Sequence, residues 1–106
     1  MILSTQDVIE EYRIIETFGL VRGNTVRSRN IARNIIGGLR TILGGEIPEF
    51  TKIIAESREQ AIDRMVEEAE KLGANAVVAI RFVTSEVDRL CSEILAYGTA
   101  VKVEKK

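Results

Sequence analysis

Arginine is the residue type whose distribution in this chain most strongly suggests binding chemistry. No acidic residue lies between Glu16 and Glu46, whereas that interval contains Arg22, Arg27, Arg29, Arg33 and Arg40. The guanidinium group binds carboxylates and phosphates through paired hydrogen bonds, and a helix beginning near Ser28 would add a partial positive charge. One role is therefore an anion-binding site, with the candidate residues Arg27, Arg29, Arg33 and Arg40. The other role, which we favour, is pairing with the acidic remainder of the chain, because oppositely charged segments of one assembly usually satisfy each other.

Donors for metal ions are few. Soft metals bind thiolate or imidazole, and the chain has one cysteine, Cys91, and no histidine. One thiolate cannot complete a site, so a soft-metal site needs several copies of Cys91; we favour reading it as a small apolar residue or a free thiol. A stripe of carboxylates on one helix could bind a hard cation, but such a stripe is usually a solvated face. Its members are Glu59, Asp63, Glu67 and Glu70.

The absence of histidine excludes two classes of site within the chain. These are nucleophilic catalysis by Ser-His-Asp or Cys-His groups and zinc bound through histidine. The pairs Gly37-Gly38 and Gly44-Gly45 lack the spacing of phosphate-binding loops. Hydroxyl groups such as those of Ser57 and Tyr97 have no catalytic partner at a diagnostic spacing. The sequence therefore identifies no catalytic residue and no cofactor.

Length and composition predict a single domain over residues 1–106. The chain has 106 residues, 45% of them apolar, and a net charge of -1. This near-neutral charge makes nucleic acid and anionic membranes poor partners. Neither a secretory signal nor an apolar stretch of about 20 residues is present. A single cysteine cannot form an internal disulfide and suits a reducing compartment, so we expect a cytoplasmic protein.

Apolar spacing predicts the order strand, helix, helix, strand, strand. The last two strands are joined too tightly for a crossover and should pair antiparallel. The fold class is therefore α+β, a two-layer arrangement of a small three-stranded antiparallel sheet with one long and one shorter helix. The predicted elements are a strand over 13–22 extended through 25–27, a helix over 29–43, a helix over 48–72, strands over 76–87 and 93–103, and a frayed tail over 104–106.

The segment Leu72–Phe82 joins the long helix directly to a strand. Gly73 is expected in the left-handed conformation that ends the helix. Alternate strand residues should face the helix, and the others should meet another subunit, because both sets are largely apolar. The inward set is Val78, Ile80 and Phe82, and the interface set is Val77, Ala79, Arg81 and Val83. Within the interface set, Arg81 should form an ion pair, with Glu16 or Glu93, or contact a ligand.

Four features of the sequence match a pattern found in one group of small proteins. They are Gly44-Gly45-Glu46 before the long helix, Arg58 and Ala61 within it, Leu72 to Val78 at its end, and Tyr97 to Val101 in the last strand. Through them the whole chain resembles the YbjQ-like family, an uncharacterised group also labelled "putative heavy-metal-binding". The resemblance implies a dodecin-like subunit that assembles into a ring, most simply a homopentamer. It brings no established activity.

Two functions follow as hypotheses. We favour an oligomeric binding or structural protein of unknown ligand, whose metal binding is suggested by the family label only. The alternative is an enzyme that acts on a small anionic substrate at a subunit interface. In that alternative Arg27, Arg33 and Arg40 orient the substrate, and Glu46 acts as the base.

Overall fold

The computed structural model describes residues 1–28, 48–86 and 91–106, which form a four-stranded sheet with a helix on one face. The elements are β1 (Ile2–Leu3), β2 (Tyr12–Ser28), α1 (Pro48–Lys71), β3 (Ala76–Glu86) and β4 (Cys91–Lys105). The strand order is β1-β3-β4-β2; β1 runs parallel to β3, and the other neighbours are antiparallel. The α+β class and the antiparallel pairing of the last two strands are confirmed.

The prediction of a three-stranded, purely antiparallel sheet is wrong because the N-terminal residues add β1. The backbone N–H of Ile2 donates to the carbonyl of Asn75 at 3.0 Å. A strand of two residues is too short to show alternation in the sequence. The predicted frayed tail is also wrong, since Lys105 pairs with Tyr12 at the end of β4. The predicted helix over 29–43 lies outside the described residues.

The end of α1 follows the prediction closely. Gly73 has a φ of 90°, and its N–H donates to the carbonyl of Glu70 at 3.0 Å. The N–H of Ala74 donates to the carbonyl of Ala69 at 3.1 Å. These are the two hydrogen bonds of a Schellman cap, and both alanines lie in the core. None of the helices in the described residues combines the length and apolarity needed to span a bilayer.

The alternation predicted for β3 is interrupted by a bulge at Ala79. Between the pairs Val78–Thr99 and Arg81–Tyr97, β3 has two residues where β4 has one. Ala79 has a φ of 54°, in the left-handed region that costs a non-glycine residue about 1–2 kcal/mol. The extra residue shifts the alternation by one position. Odd-numbered residues such as Val77 therefore face α1 before the bulge, and even-numbered residues such as Ile80 face α1 after it.

The bulge divides the apolar residues of the sheet between two clusters. One cluster lies beneath α1 and includes Val21, Ala61, Met65, Ala69, Val77, Ile80, Ala96 and Ala100. The other lies on the opposite face and includes Ala76, Val78, Val101 and Val103, with Ile2, Ile9 and Tyr12 packed against them. Val77 is therefore buried inside the chain and Val78 faces away from the helix, the reverse of the predicted arrangement. The interface role of Ala79, Arg81 and Val83 stays a prediction.

The helix lies very close to the sheet because small residues face it. Ala96 and Ala100 of β4 are fully buried beneath α1. At Gly23 of β2, a Cβ atom would overlap the backbone carbonyl oxygen of Ala61 and the backbone nitrogen of Met65. This contact fixes the distance between the two layers.

A glycine-to-alanine pair tests that contact. Gly23→Ala is expected to lower the free energy of unfolding by about 3 kcal/mol or more, because helix backbone must move to admit the methyl group. Gly73→Ala should lower it by only about 1–2 kcal/mol, because the added Cβ has nothing within 4 Å and only the positive φ opposes it. Chemical denaturation at one protein concentration measures both. Equal decreases in the free energy of unfolding for the two variants would show that α1 can move away from the sheet at little cost.

Candidate functional site

Part of the sheet face opposite α1 is covered by no described element, and we call this surface the open face. Cross-strand pairing places its residues side by side across β2, β4 and β3. Its members are Leu20, Arg22, Asn24 and Val26 of β2, Glu93, Leu95, Tyr97 and Thr99 of β4, and Arg81, Val83 and Ser85 of β3. Three of its apolar side chains are strongly exposed: Leu20 at 63%, Val26 at 50% and Val83 at 43%. The open face is thus a mixed surface, on which four aliphatic side chains lie among charged and polar ones.

The remainder of the same sheet face is covered by the N-terminal segment. Ile2, Ile9 and Tyr12 pack against Val101 and Val103 there. The chain therefore buries part of this sheet face with its own residues. The N-terminal segment does not extend over the open face, so the open face stays exposed.

A row of three residues crosses the centre of the open face. Arg22 pairs with Tyr97 on one side, and Arg81 pairs with Tyr97 on the other. Arg81 donates from Nη1 to the carbonyls of Thr5 at 2.7 Å and Ile80 at 2.8 Å. Its guanidinium group therefore fastens the N-terminal segment to the edge of β3.

The predicted acidic partners of Arg81 do not bond to it among the described residues. Glu93 instead accepts a hydrogen bond from Asn24 Nδ2 at 3.0 Å. An ion pair of Arg81 with Glu16 or Glu93 is thus replaced, within the described part of the chain, by hydrogen bonds to backbone carbonyls. The bonds to carbonyls arise because the bulge at Ala79 brings the N-terminal segment alongside β3, where Ala79 N donates to Gln6 O at 2.8 Å.

Most of the predicted anion site falls outside the described residues. Arg29, Arg33 and Arg40 lie there, as does Glu46, the base of the enzymatic alternative. Arg27 belongs to β2, where its backbone pairs with Ser92. Cys91, the candidate soft-metal ligand, is the first residue of β4 and its backbone pairs with Ser28. The anion-binding and thiolate hypotheses therefore stay predictions.

The carboxylate stripe on α1 lies in solvent. All of its members are exposed: Glu59, Asp63, Glu67 and Glu70. Within residues 1–28, 48–86 and 91–106, no three carboxylate or thiol side chains come together as a metal site would require. Met65, a potential soft donor, is fully buried in the core beneath α1.

Sequence reasoning missed a groove between α1 and β3. Its narrow end is an open cavity of about 180 Å³, and a wider cleft of about 570 Å³ shares Ile62 and Phe82 with it. Arg58 and Thr84 line the cleft. The apolar residues that line the narrow end are Leu3, Ile62, Met65, Ile80 and Phe82. The groove depends on β1, which the sequence did not predict; the one available signal was the apolar Phe82 near the end of its strand.

Comparison with known proteins places the chain among relatives of nearly equal length. A family model described as "Putative heavy-metal-binding" matches residues 1–104. A UPF0145 protein of Methanococcus vannielii is 54% identical over 105 residues, covering 99% of this chain and 100% of its own. UPF0145 protein TTHA1944 of Thermus thermophilus is 45% identical over 104 residues, covering 98% of this chain and 91% of its own.

A solved structure supports the same fold. It is a crystal structure of a protein of unknown function from Pediococcus pentosaceus, which belongs to the DUF74 family. The TM-score is 0.64 at 14% identity, and the alignment covers 98% of each chain. At this identity the likeness concerns the fold alone.

The donors of a single chain do not fit a heavy-metal site. The sequence supplies one cysteine, no histidine and two methionines, and one of those methionines is enclosed in the core. Tetrahedral soft-metal sites usually take four sulfur or nitrogen ligands. Any such site would therefore need donors from several chains.

The role of Arg81 as a fastener can be tested by hydrogen exchange. Arg81→Met should remove both carbonyl contacts and speed exchange of the Ala79 and Ile80 amides, which donate to Gln6 and Ser4. Loss of hydrogen bonds from a charged group typically costs about 1.5–3 kcal/mol, less at an exposed position. The matched control is Arg22→Met on the same face, for which no change in these amides is expected. Unchanged exchange rates of the Ala79 and Ile80 amides in Arg81→Met would show that backbone hydrogen bonds alone hold the N-terminal segment on β3.

Proposed function

The chain belongs to the UPF0145, or YbjQ, family, whose description is "Putative heavy-metal-binding", and on that premise we propose that it is the subunit of a homo-oligomeric binding or structural protein. The single observation that carries the proposal is the open face. Exposed apolar residues rimmed by polar ones mark interaction sites when they adjoin each other, and Val83 of β3 pairs directly with Leu95 of β4 here. Leu20, Val26 and Val83 each retain about half of their surface there, so covering them would contribute on the order of 1 kcal/mol apiece.

The open edges of the sheet support a cyclic assembly. β2 lies at one edge of the sheet, and beyond β1 the outer edge of β3 is unpaired by any described strand. Unpaired strand edges readily add strands from another chain. The two edges are on opposite sides of one subunit and differ in sequence, so a contact that joins β2 of one copy to β3 of the next is head-to-tail. A head-to-tail contact that closes produces a ring.

The dimensions of the subunit also favour assembly. The Cα radius of gyration is 17.3 Å, whereas a compact domain of this length would have a value of about 13 Å. An elongated shape exposes more surface per residue and leaves a smaller shared core. We propose a ring of five copies, the number that the family resemblance implies, in which neighbours cover the open faces.

The enzymatic alternative has less support. It depends on Arg33, Arg40 and Glu46, all outside the described residues, and on the side chain of Arg27. Among the described residues of the open face, Asn24 bonds to Glu93, and Arg81 bonds to backbone carbonyls. We therefore keep a binding or structural role as the proposed function.

Assembly through the open face predicts a specific dissociation. Leu20→Glu should reduce the mass measured by light scattering from about five times 11.8 kDa toward that of one chain, because a carboxylate would be buried without a partner. Ile54→Glu is the matched control: Ile54 is 39% exposed but lies on α1, so the mass should stay high. A Leu20→Glu variant that keeps the wild-type mass would overturn the open face as the interface.

The family description can be tested on the dissociated variant. Leu20→Glu should bind no Cd²⁺ in competition with a chromogenic chelator, because a single chain offers one thiolate, Cys91. The intact assembly is the comparison, and Cys91→Ser in that assembly shows whether any uptake depends on the thiol. Tight Cd²⁺ binding by the single chain would contradict the requirement for several chains.

A further inference from the structure

The groove between α1 and β3 has the features of a small-molecule site. Its narrow end is lined mostly by apolar side chains, with the Met65 side chain fully buried and Ile80 only 6% exposed. Leu3 and Phe82 also line this end and are 42% and 46% exposed. Apolar side chains that surround a cavity and remain partly exposed would gain burial from an apolar ligand.

The volume of the narrow end limits the length of that ligand. A cavity of about 180 Å³ has the volume of about six water molecules, at about 30 Å³ each, and so admits a short alkyl chain. An unbranched alkyl chain of this length would fill it, whereas a large aromatic ring system would not. The wider cleft, which shares Ile62 and Phe82 with the cavity, would then hold the head of the same molecule.

Two polar side chains face that cleft from opposite sides. Arg58 projects from α1 and Thr84 from β3. Neither side chain has a hydrogen bond or ion pair to a described residue. A carboxylate can accept from a guanidinium and a hydroxyl at once. Glu59 also borders the cleft, and together with Ala55 it borders an adjacent groove that contains Lys52 as well.

We propose that this groove binds a medium-chain aliphatic carboxylate. The alkyl chain occupies the cavity lined by Met65 and Phe82, and the carboxylate lies between Arg58 and Thr84. The charge of Glu59 weakens this binding and limits it to ligands that bring enough apolar surface. The site is independent of the open face, because it lies on the helix side of the sheet.

Methionine NMR gives a direct test with octanoate as the probe. The chain has two methionines, Met1 and Met65, so methyl-labelled methionine yields two signals. Octanoate should shift the Met65 methyl signal and leave Met1 unchanged. Arg58→Gln should weaken octanoate about tenfold, and Glu59→Gln should strengthen it. Lys52→Gln, which removes a positive charge from α1 at a residue that does not line the cleft, is the control and should leave the affinity within about twofold.

Three results would overturn the proposal. The first is no Met65 shift at millimolar octanoate. The second is equal affinity for octanoate and octanol in the wild-type chain, which would remove the role of Arg58 and Thr84. The third is a Met65 shift that follows protein concentration without octanoate, which would mean that another copy of the chain fills the groove. Light scattering on the same samples reports assembly separately, so a failure of ring formation is distinguishable from a failure of ligand binding.

Discussion

The arrangement of the whole subunit depends on the bulge at Ala79. A left-handed alanine is unfavourable by about 1–2 kcal/mol, and hydrogen bonds from the Ala79 and Ile80 amides to the N-terminal segment offset that cost. The bulge puts Val77 and Ile80 on the helix side and leaves Val78 and Arg81 on the other. Without the bulge, Val77 and Ile80 would lie on opposite faces of the sheet, because side chains alternate along a regular strand.

Two consequences follow for the surfaces of the molecule. On the helix side, the edge of β3 and the N-terminal segment meet α1 only loosely, and the groove lined by Phe82 results. On the opposite side, the N-terminal segment covers only part of the sheet, so Leu20, Val26 and Val83 stay exposed. The same segment thus borders the groove that we propose as a ligand site and leaves exposed the surface that we propose as a subunit interface.

Local chemistry explains what could be predicted from the sequence. Pro48 and Gly73 mark the ends of α1, because each signal lies within a few positions of its effect. Residues that act through distant partners were not predictable. Val77 and Val78 lie on the faces opposite to those predicted because of one bulge. β1 is only two residues long. Arg81 bonds to Thr5, which is 76 positions away in the sequence.

The central claim is that this chain exists as a closed assembly of identical subunits. Native mass spectrometry of the full chain, purified without chelator and sprayed at low micromolar concentration, measures the copy number and any bound ligand together. The account predicts one dominant species at a fixed multiple of 11.8 kDa, five being the expected multiple. A spectrum dominated by the single chain at that concentration would contradict it.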